Sequence, residues 1–148
     1  MGKVLIAYLS LKGHTEKLAE YIAEGVRIGG CEADVKKVND IKKPEDLEGY
    51  DAYIFGSPTY HRDMPQKMKT FLFLAKEANL EGKVAGAFGS YTHSGDAPKL
   101  IFETMEFVFK MKPVSLGSFN VKEGDIDKDE YLRACQQYGR AVCEQANS

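Results

Sequence analysis

The sequence contains no tryptophan, and among its 148 residues it has only five prolines and three cysteines. Its longest apolar runs have the length of a strand, which excludes a membrane-spanning helix. The formal net charge of −2 leaves no excess of lysine and arginine, so nucleic acid is not an expected partner. The N-terminal residues lack the pattern of a signal peptide, and we therefore expect a cytoplasmic protein.

The three cysteines are Cys31, Cys135 and Cys143. The last two are eight residues apart in a predicted helix, which places them about 12 Å apart along the helix axis, too far for a disulfide. The number of cysteines is odd, and their spacing is not that of metal ligands. We therefore predict three reduced thiols that pack as small core residues, and no metal site.

Two common phosphate-binding motifs are absent. There is no GxxxxGK[ST] loop, because Gly13 is followed by His14, and there is no GxGxxG turn. Instead, the apolar run 3–9 leads into S-L-K-G-H-T, and a helical pattern follows. The N–H groups of such a turn and the positive end of the helix converge on one point, where the hydroxyl groups add donors. We predict a site for a phosphate monoester at Ser10, Leu11, Lys12, Gly13, His14 and Thr15.

Strand and helix patterns alternate along residues 1–148, which we interpret as a single domain. The first, third and fourth strands read as nearly continuous apolar runs, as a parallel sheet covered on both faces requires. This pattern predicts a doubly wound, three-layer α/β fold, in which ligands bind beyond the carboxyl ends of the strands. The predicted strands are 3–9, 32–38, 52–56, 83–88 and 113–121, and the predicted helices are 15–28, 65–78, 97–107 and 128–145.

Two further loops follow the third and fourth predicted strands, at residues 57–63 and 89–95. Both are rich in serine, threonine, tyrosine and histidine. Because the carboxyl ends of parallel strands meet at one edge of the sheet, these loops should flank the phosphate loop. The three loops together suit a flat ring with a phosphate tail. We call residues 10–15, 57–63 and 89–95 loop one, loop two and loop three.

These loops resemble those of the flavodoxins, and most closely the flavodoxin-like domain of flavodiiron (type A) flavoproteins, here as a stand-alone domain. Residues 56–60, G-S-P-T-Y, are similar to the family segment that borders the flavin ring, and residues 88–95, F-G-S-Y-T-H-S-G, are similar to F-G-S-Y-G-W-S-G. The resemblance implies FMN as cofactor, its phosphate on loop one, and a five-stranded parallel sheet of order 2-1-3-4-5 with helices on both faces. The further flavin contacts that it implies are Pro58, Thr59, Tyr60, His61, Ser90, Tyr91, Thr92, His93, Ser94 and Gly95.

The sequence departs from the family pattern in loop three. Thr92 and His93 stand where the family has glycine and tryptophan, so the indole that usually stacks on the ring is missing. The only three histidines lie in or beside the flavin loops and cannot supply the six ligands of a di-iron site. The resemblance therefore implies the flavin site without the oxygen- or nitric-oxide-reducing chemistry of the larger proteins.

Three classes of function remain open. The resemblance favours an electron-transfer protein without catalytic residues of its own, which shuttles electrons between a reductase and a redox acceptor. The alternatives are an FMN-dependent NAD(P)H:quinone oxidoreductase and a scaffold that binds no flavin. A phospho-receiver of the same fold is excluded, because Ser10 and Ser57 stand where it needs acidic residues.

The predicted third helix and the residues after it, 97–109, carry apolar side chains on two faces, whereas a helix packed on a sheet needs only one. One alternative is that Phe102 and Phe109 fold back under the following loop. The other is an exposed patch that binds a partner or makes a homo-oligomer through this helix. The first set is Ala97, Leu100, Ile101, Thr104 and Val108, and the second is Phe102, Met105 and Phe109.

Overall fold

The computed structural model describes residues 2–148, and its strands form one sheet in which every pairing is parallel. The strands are β1 (Lys3–Tyr8), β2 (Glu32–Lys37), β3 (Ala52–Gly56), β4 (Val84–Tyr91), β5 (Lys112–Pro113) and β6 (Phe119–Lys122). Their order is β2-β1-β3-β4-β5, with β6 also paired to β4. The predicted doubly wound sheet and its order are thus confirmed.

Four α-helices cover the two faces of the sheet. They are α1 (His14–Ile28), α2 (Gln66–Lys76), α3 (Asp96–Glu103) and α4 (Asp129–Ala146). Along β1 the fully buried side chains alternate between two core clusters: Val4 and Ile6 pack with α1 and α4, whereas Leu5 and Ala7 pack with α2 and α3. Burial on both faces explains why this strand reads as a continuous apolar run. No helix within residues 2–148 is long and apolar enough to cross a membrane.

The fifth position of the sheet differs from its predicted form. The strand predicted over 113–121 is divided into β5 and β6, with Gly117 in the left-handed region (φ 77°) between them. β6 pairs with residues 88–91 of β4, which extends β4 three residues beyond its predicted end. Loop three therefore begins inside the sheet, and its first residues are held by backbone hydrogen bonds on both sides.

The prediction of three reduced thiols is wrong. Cys31 and Cys143 form a disulfide, with their Cα atoms 5.9 Å apart although 112 residues separate them in sequence. The packing of α1 against α4 brings the two sulfurs together, because Gly25 lets the backbone of Gln136 approach closely. Helical spacing excludes a disulfide between Cys135 and Cys143 within α4, as expected. It does not exclude a disulfide between Cys143 and Cys31, which follows α1.

Cys135 keeps a free thiol in the core. Burial raises its pKa to about 12, so near neutral pH only about one thiol in ten thousand or fewer is ionised. Because the thiolate is the reactive form, we expect Ellman's reagent to find no reactive thiol in the native protein. After unfolding without reductant it should find one. A thiol that reacts rapidly in the native protein would contradict this expectation.

The region predicted as one helix over 97–107 is α3 followed by a π-helical turn, Thr104–Val108. A π turn contains more residues than an α turn, so it changes which side chains face the core. Met105 is buried. Phe109 is also buried and Phe102 is half-buried, which agrees with the alternative in which these two phenylalanines fold back. The large apolar side chains that this region exposes are Leu100, Phe107 and Val108.

Candidate functional site

Loop one follows β1 at the carboxyl edge of the sheet and forms an open ring of N–H donors. Gly13, the N-cap of α1, adopts φ 88°, which favours glycine, and its N–H donates to Ser10 Oγ at 3.0 Å. The loop thus turns back onto the helix end with its N–H groups unused by the helix. In loop one and the first turn of α1, six N–H groups have no acceptor within residues 2–148: those of Ser10, Leu11, Lys12, His14, Thr15 and Glu16.

Loops one and three meet through two buried hydroxyl groups. Thr15 and Ser90 are each 1% exposed, and their oxygens lie 3.1 Å apart. One hydroxyl donates to the other, so the hydrogen of the accepting hydroxyl stays available to a ligand. The Leu9 N–H donates to the Gly56 carbonyl and holds loop one beside β3. The sequence predicted that loops one and three lie at the same edge of the sheet, and in the structure they are in contact.

Loop two ends in a tight turn from Tyr60 to Asp63. These residues exchange two backbone hydrogen bonds of 2.8 and 2.9 Å, and the two residues between them, His61 and Arg62, have φ of 49° and 62°. Positive φ at both central positions defines a type I′ turn, which costs about 1 kcal/mol or more for each residue that is not glycine. Lys69 binds the Asp63 carboxylate and holds the pKa of that group below its usual range. The turn is thereby anchored to α2.

A cavity of about 330 Å³ separates loops two and three; we call it the slot. Its walls are fixed at their base, since Thr59 N–H donates to the Ser90 carbonyl and Thr59 Oγ1 accepts from Ala97 N–H. A Cβ on Gly89 would lie 2.2 Å from the Ser57 carbonyl oxygen, so glycine permits this close approach of the walls. The slot is lined by Thr59, Tyr60, His61, Arg62, Thr92, His93 and Ser94.

Six of the predicted contacts in loops two and three line the slot, and the others do not. Pro58 and Ser90 are buried behind it, Tyr91 ends β4, and Gly95 is the N-cap of α3. In loop one, the Nδ1 atom of His14 lies 3.5 Å from a carboxylate oxygen of Glu123. This contact places the His14 ring beside the turn that follows β6, whereas its backbone N–H is one of the unpaired donors of loop one.

Two residues of the candidate site are not among the predicted contacts. Arg62 lines the slot, and its positive charge within the G-S-P-T-Y-H-R stretch was an available signal. Asn120 on β6 donates from Nδ2 to the Gly95 carbonyl at 2.7 Å, and its buried Oδ1 has no partner within residues 2–148. No sequence signal marks Asn120, because it lies beside loop three only through the pairing of β6 with β4.

Two more cavities adjoin these loops. One of about 290 Å³ lies beside loop one, and it includes Tyr8, whose hydroxyl donates to Glu16 at 3.1 Å. Burial and this carboxylate raise the pKa of Tyr8 to about 12, so its hydroxyl remains protonated near neutral pH. The other, of about 570 Å³, shares Arg62 and Ser94 with the slot and is also lined by Asp96, Lys99, Leu100 and Glu103.

Comparison with curated proteins finds relatives that share half of this chain. The NAD(P)H dehydrogenase (quinone) of Gluconacetobacter diazotrophicus is 40% identical over 90 residues, which are 48% of this chain and 45% of that protein. The protein of the same name from Archaeoglobus fulgidus is 34% identical over 96 residues, 49% of this chain and 50% of that protein. The chain thus spans about half the length of the curated relatives it matches.

Comparison with solved structures finds the same fold over nearly the whole chain. A flavodoxin from the domain Archaea is 30% identical with a TM-score of 0.88, and the match covers 99% of both chains. The Flv1 flavodiiron core of Synechocystis sp. PCC6803 has a TM-score of 0.81 over 98% of this chain and 36% of that chain. At 24% identity, this second likeness shows the fold.

The donor set fits the cofactor that the resemblance implies. Unused N–H groups and buried hydroxyls suit a phosphate, and the slot offers two walls with aromatic side chains for a flat ring. The model of the flavodoxin domain family matches residues 5–137. The chain therefore belongs to the flavodoxin family, and its cofactor is FMN.

Proposed function

We propose that this protein is an FMN-dependent electron carrier, which passes electrons from a reductase to a redox acceptor. FMN supplies the chemistry, since its ring accepts and releases one or two electrons. The observation that carries the proposal is the position of the slot at the protein surface. Four of its lining residues, His61, Arg62, Thr92 and His93, are exposed. A ring held there has an edge within reach of another protein.

Loop one is proposed to hold the FMN phosphate. Its unused N–H groups and the positive end of α1 supply fixed donors, and the Thr15–Ser90 pair supplies one hydroxyl hydrogen. Because Ser10 Oγ already accepts from Gly13 N–H, its own hydroxyl hydrogen points away from that bond and is free to donate to the phosphate. Lys12 is proposed to act chiefly through its backbone N–H.

Loops two and three are proposed to hold the flavin ring. Tyr60 and His61 form one wall of the slot and Thr92 and His93 the other. The imidazole of His93 takes the place of the indole that other flavodoxins stack on the ring, and it adds a hydrogen-bonding edge. Pro58, Ser90, Tyr91 and Gly95 are proposed to support these walls from behind. The reductase and the acceptor would dock over this edge of the sheet, and we expect this exchange to take place in the cytoplasm.

A second candidate function is the oxidation of NAD(P)H with transfer to a quinone. Two observations favour it: the name of the curated relatives and the cavity of about 570 Å³ that adjoins the slot. Arg62 and Lys99 line this cavity together with Asp96 and Glu103, and neither cation forms an ion pair within residues 2–148. Cations beside the ring would suit the phosphates of a dinucleotide.

Reduction kinetics distinguish the two functions. For a carrier, we expect the FMN-loaded protein to react slowly with NADPH or NADH alone, and rapidly when a catalytic amount of a flavodoxin reductase is added. Stopped-flow absorbance of the flavin under anaerobic conditions measures both rates. Direct reduction and quinone-dependent turnover faster than about 1 s⁻¹, within the range of ordinary enzymes, would contradict the carrier function.

A charge reversal sharpens this test. If the cavity binds no dinucleotide, Lys99→Glu should leave the slow direct reduction by NADPH within about twofold, since a single exposed charge has a small effect. If the protein oxidises NADPH directly, the same change should raise KM for NADPH about tenfold or more through loss of a charged contact. Lys83→Glu is the matched control, because Lys83 is exposed at the opposite end of β4.

A further inference from the structure

Arg62, at the tip of loop two, is a cation without an ion-pair partner among the described residues. It lines both the slot and the adjoining cavity of about 570 Å³, and it is exposed. Asp96 and Glu103 also line that cavity, yet Arg62 forms no ion pair with either of them or with another carboxylate within residues 2–148. Of the described residues that line the slot itself, Arg62 alone carries a permanent charge, and none is a carboxylate. Its guanidinium is therefore free to bind an anionic group in the slot.

The turn that carries this cation is strained. His61 and Arg62 have φ of 49° and 62°, and glycine or asparagine would adopt this conformation more readily at both positions. Fixed neighbours maintain the strain, since the Asp63 carboxylate accepts from Met64 N–H at 2.8 Å and also binds Lys69. Strained residues other than glycine cluster at active sites and ligand clamps, where the strain is part of the mechanism. The conformation of the turn thus indicates a function for the side chains at its tip.

The charge of the flavin ring depends on its redox state. The oxidised ring is neutral. When it takes up two electrons and one proton from a reductase or from a reduced dye, it becomes an anion near neutral pH, with the charge shared between a ring nitrogen and the adjacent carbonyl oxygen. A guanidinium beside the ring stabilises this anion more than the neutral ring, just as a cation beside an acid favours its ionised form. A cation in the slot therefore acts on the equilibrium between the two redox states.

We propose that Arg62 binds the reduced, anionic form of the flavin ring and thereby raises the reduction potential of bound FMN. This inference rests on the proposed position of the ring in the slot. Oxidised and reduced FMN are linked by a thermodynamic cycle, so a residue that raises the potential must strengthen the binding of reduced FMN more than that of oxidised FMN. The strained turn then has a physical reason, because it holds the guanidinium at the slot before the charge on the ring develops.

Two measurements test the inference. Anaerobic equilibration of the FMN-loaded protein with a reference dye gives the ratio of reduced to oxidised flavin, and fluorescence titration of the apoprotein gives the dissociation constant of oxidised FMN. For Arg62→Asn, which removes the charge and keeps a residue that tolerates positive φ, we expect the ratio to fall about tenfold or more at a fixed state of the dye. The dissociation constant of oxidised FMN should change by less than about threefold. Arg62→Lys should restore part of the ratio, since it keeps the charge without the planar fork.

Lys110→Asn is the matched control for the loss of a positive charge. Lys110 is also an exposed cation at positive φ (59°), but it precedes β5 at the amino edge of the sheet, away from the slot. Its replacement should leave the ratio of reduced to oxidised flavin and the dissociation constant of oxidised FMN unchanged. Circular dichroism should show the same fold for all variants.

Tyr60→Ala reports whether the ring lies in the slot, because loss of this wall should weaken binding of oxidised FMN whatever the role of Arg62. If it does so while Arg62→Asn keeps the parent ratio, or weakens oxidised and reduced FMN equally, Arg62 does not set the potential and the inference is wrong. If neither variant changes FMN binding or its potential, the ring lies outside the slot, which also overturns the inference. The stopped-flow rates with a reductase test the electron-carrier function separately, and its failure would leave the potential of bound FMN measurable.

Discussion

Replacement of Ser10 by glutamate is expected to abolish FMN binding while the fold stays intact. The Ser10 oxygen lies 3.0 Å from the Gly13 nitrogen, within the ring of N–H donors, so a carboxylate there would sit beside the phosphate dianion. Two like charges about 4 Å apart repel by about 4 kcal/mol at the effective dielectric constant of a protein surface. This corresponds to an affinity loss of about a thousandfold. Quenching of FMN fluorescence on titration with the apoprotein measures it.

Two control variants distinguish the effect of the added charge at Ser10 from the loss of its hydroxyl group and from the effect of a new glutamate elsewhere on the surface. Ser118→Glu makes the same substitution at an exposed position before β6, away from loop one, and should bind FMN as the parent protein does. Ser10→Ala removes the hydroxyl without adding charge, and should weaken binding only about tenfold. If Ser10→Glu bound FMN within tenfold of the parent protein, loop one would not be the phosphate site.

Reduction of the Cys31–Cys143 disulfide is expected to lower the free energy of unfolding by about 3 to 5 kcal/mol. The bond joins residues 112 positions apart, and therefore restricts most of the unfolded chain. The loss is large against the 5 to 15 kcal/mol that typically stabilises a domain. Urea titrations followed by circular dichroism, after equilibration with and without reductant, measure the difference.

The variant with Cys31→Ala and Cys143→Ala is the control for reductant. It should be less stable than the oxidised protein, and reductant should not change its stability further. Because Cys135 is present in both proteins, any effect of reductant on that thiol cancels. Three reactive thiols in the unreduced protein under denaturing conditions would contradict the pairing.

The sequence by itself determined the layers of the fold and which loops form the candidate site. Strand runs such as residues 3–9 and the amphipathic stripe of α1 are local patterns, and burial on one or two faces follows directly from them. Loop one could be predicted for the same reason, since Ser10, Gly13 and Thr15 are close in sequence. The turn before a helix also leaves N–H donors free for a ligand. The carboxyl ends of parallel strands then bring loops two and three to the same edge.

Only the tertiary structure decided contacts between segments that are distant in sequence. Cys31 finds Cys143 because α1 and α4 share one face of the sheet, and Asn120 reaches Gly95 because β6 pairs with β4. The outward position of Val108 depends on a π turn, which core packing around Met105 and Phe109 accommodates and a helical wheel does not include. Periodicity reports which face of a segment is buried. It carries no information about which other segment lies against that face.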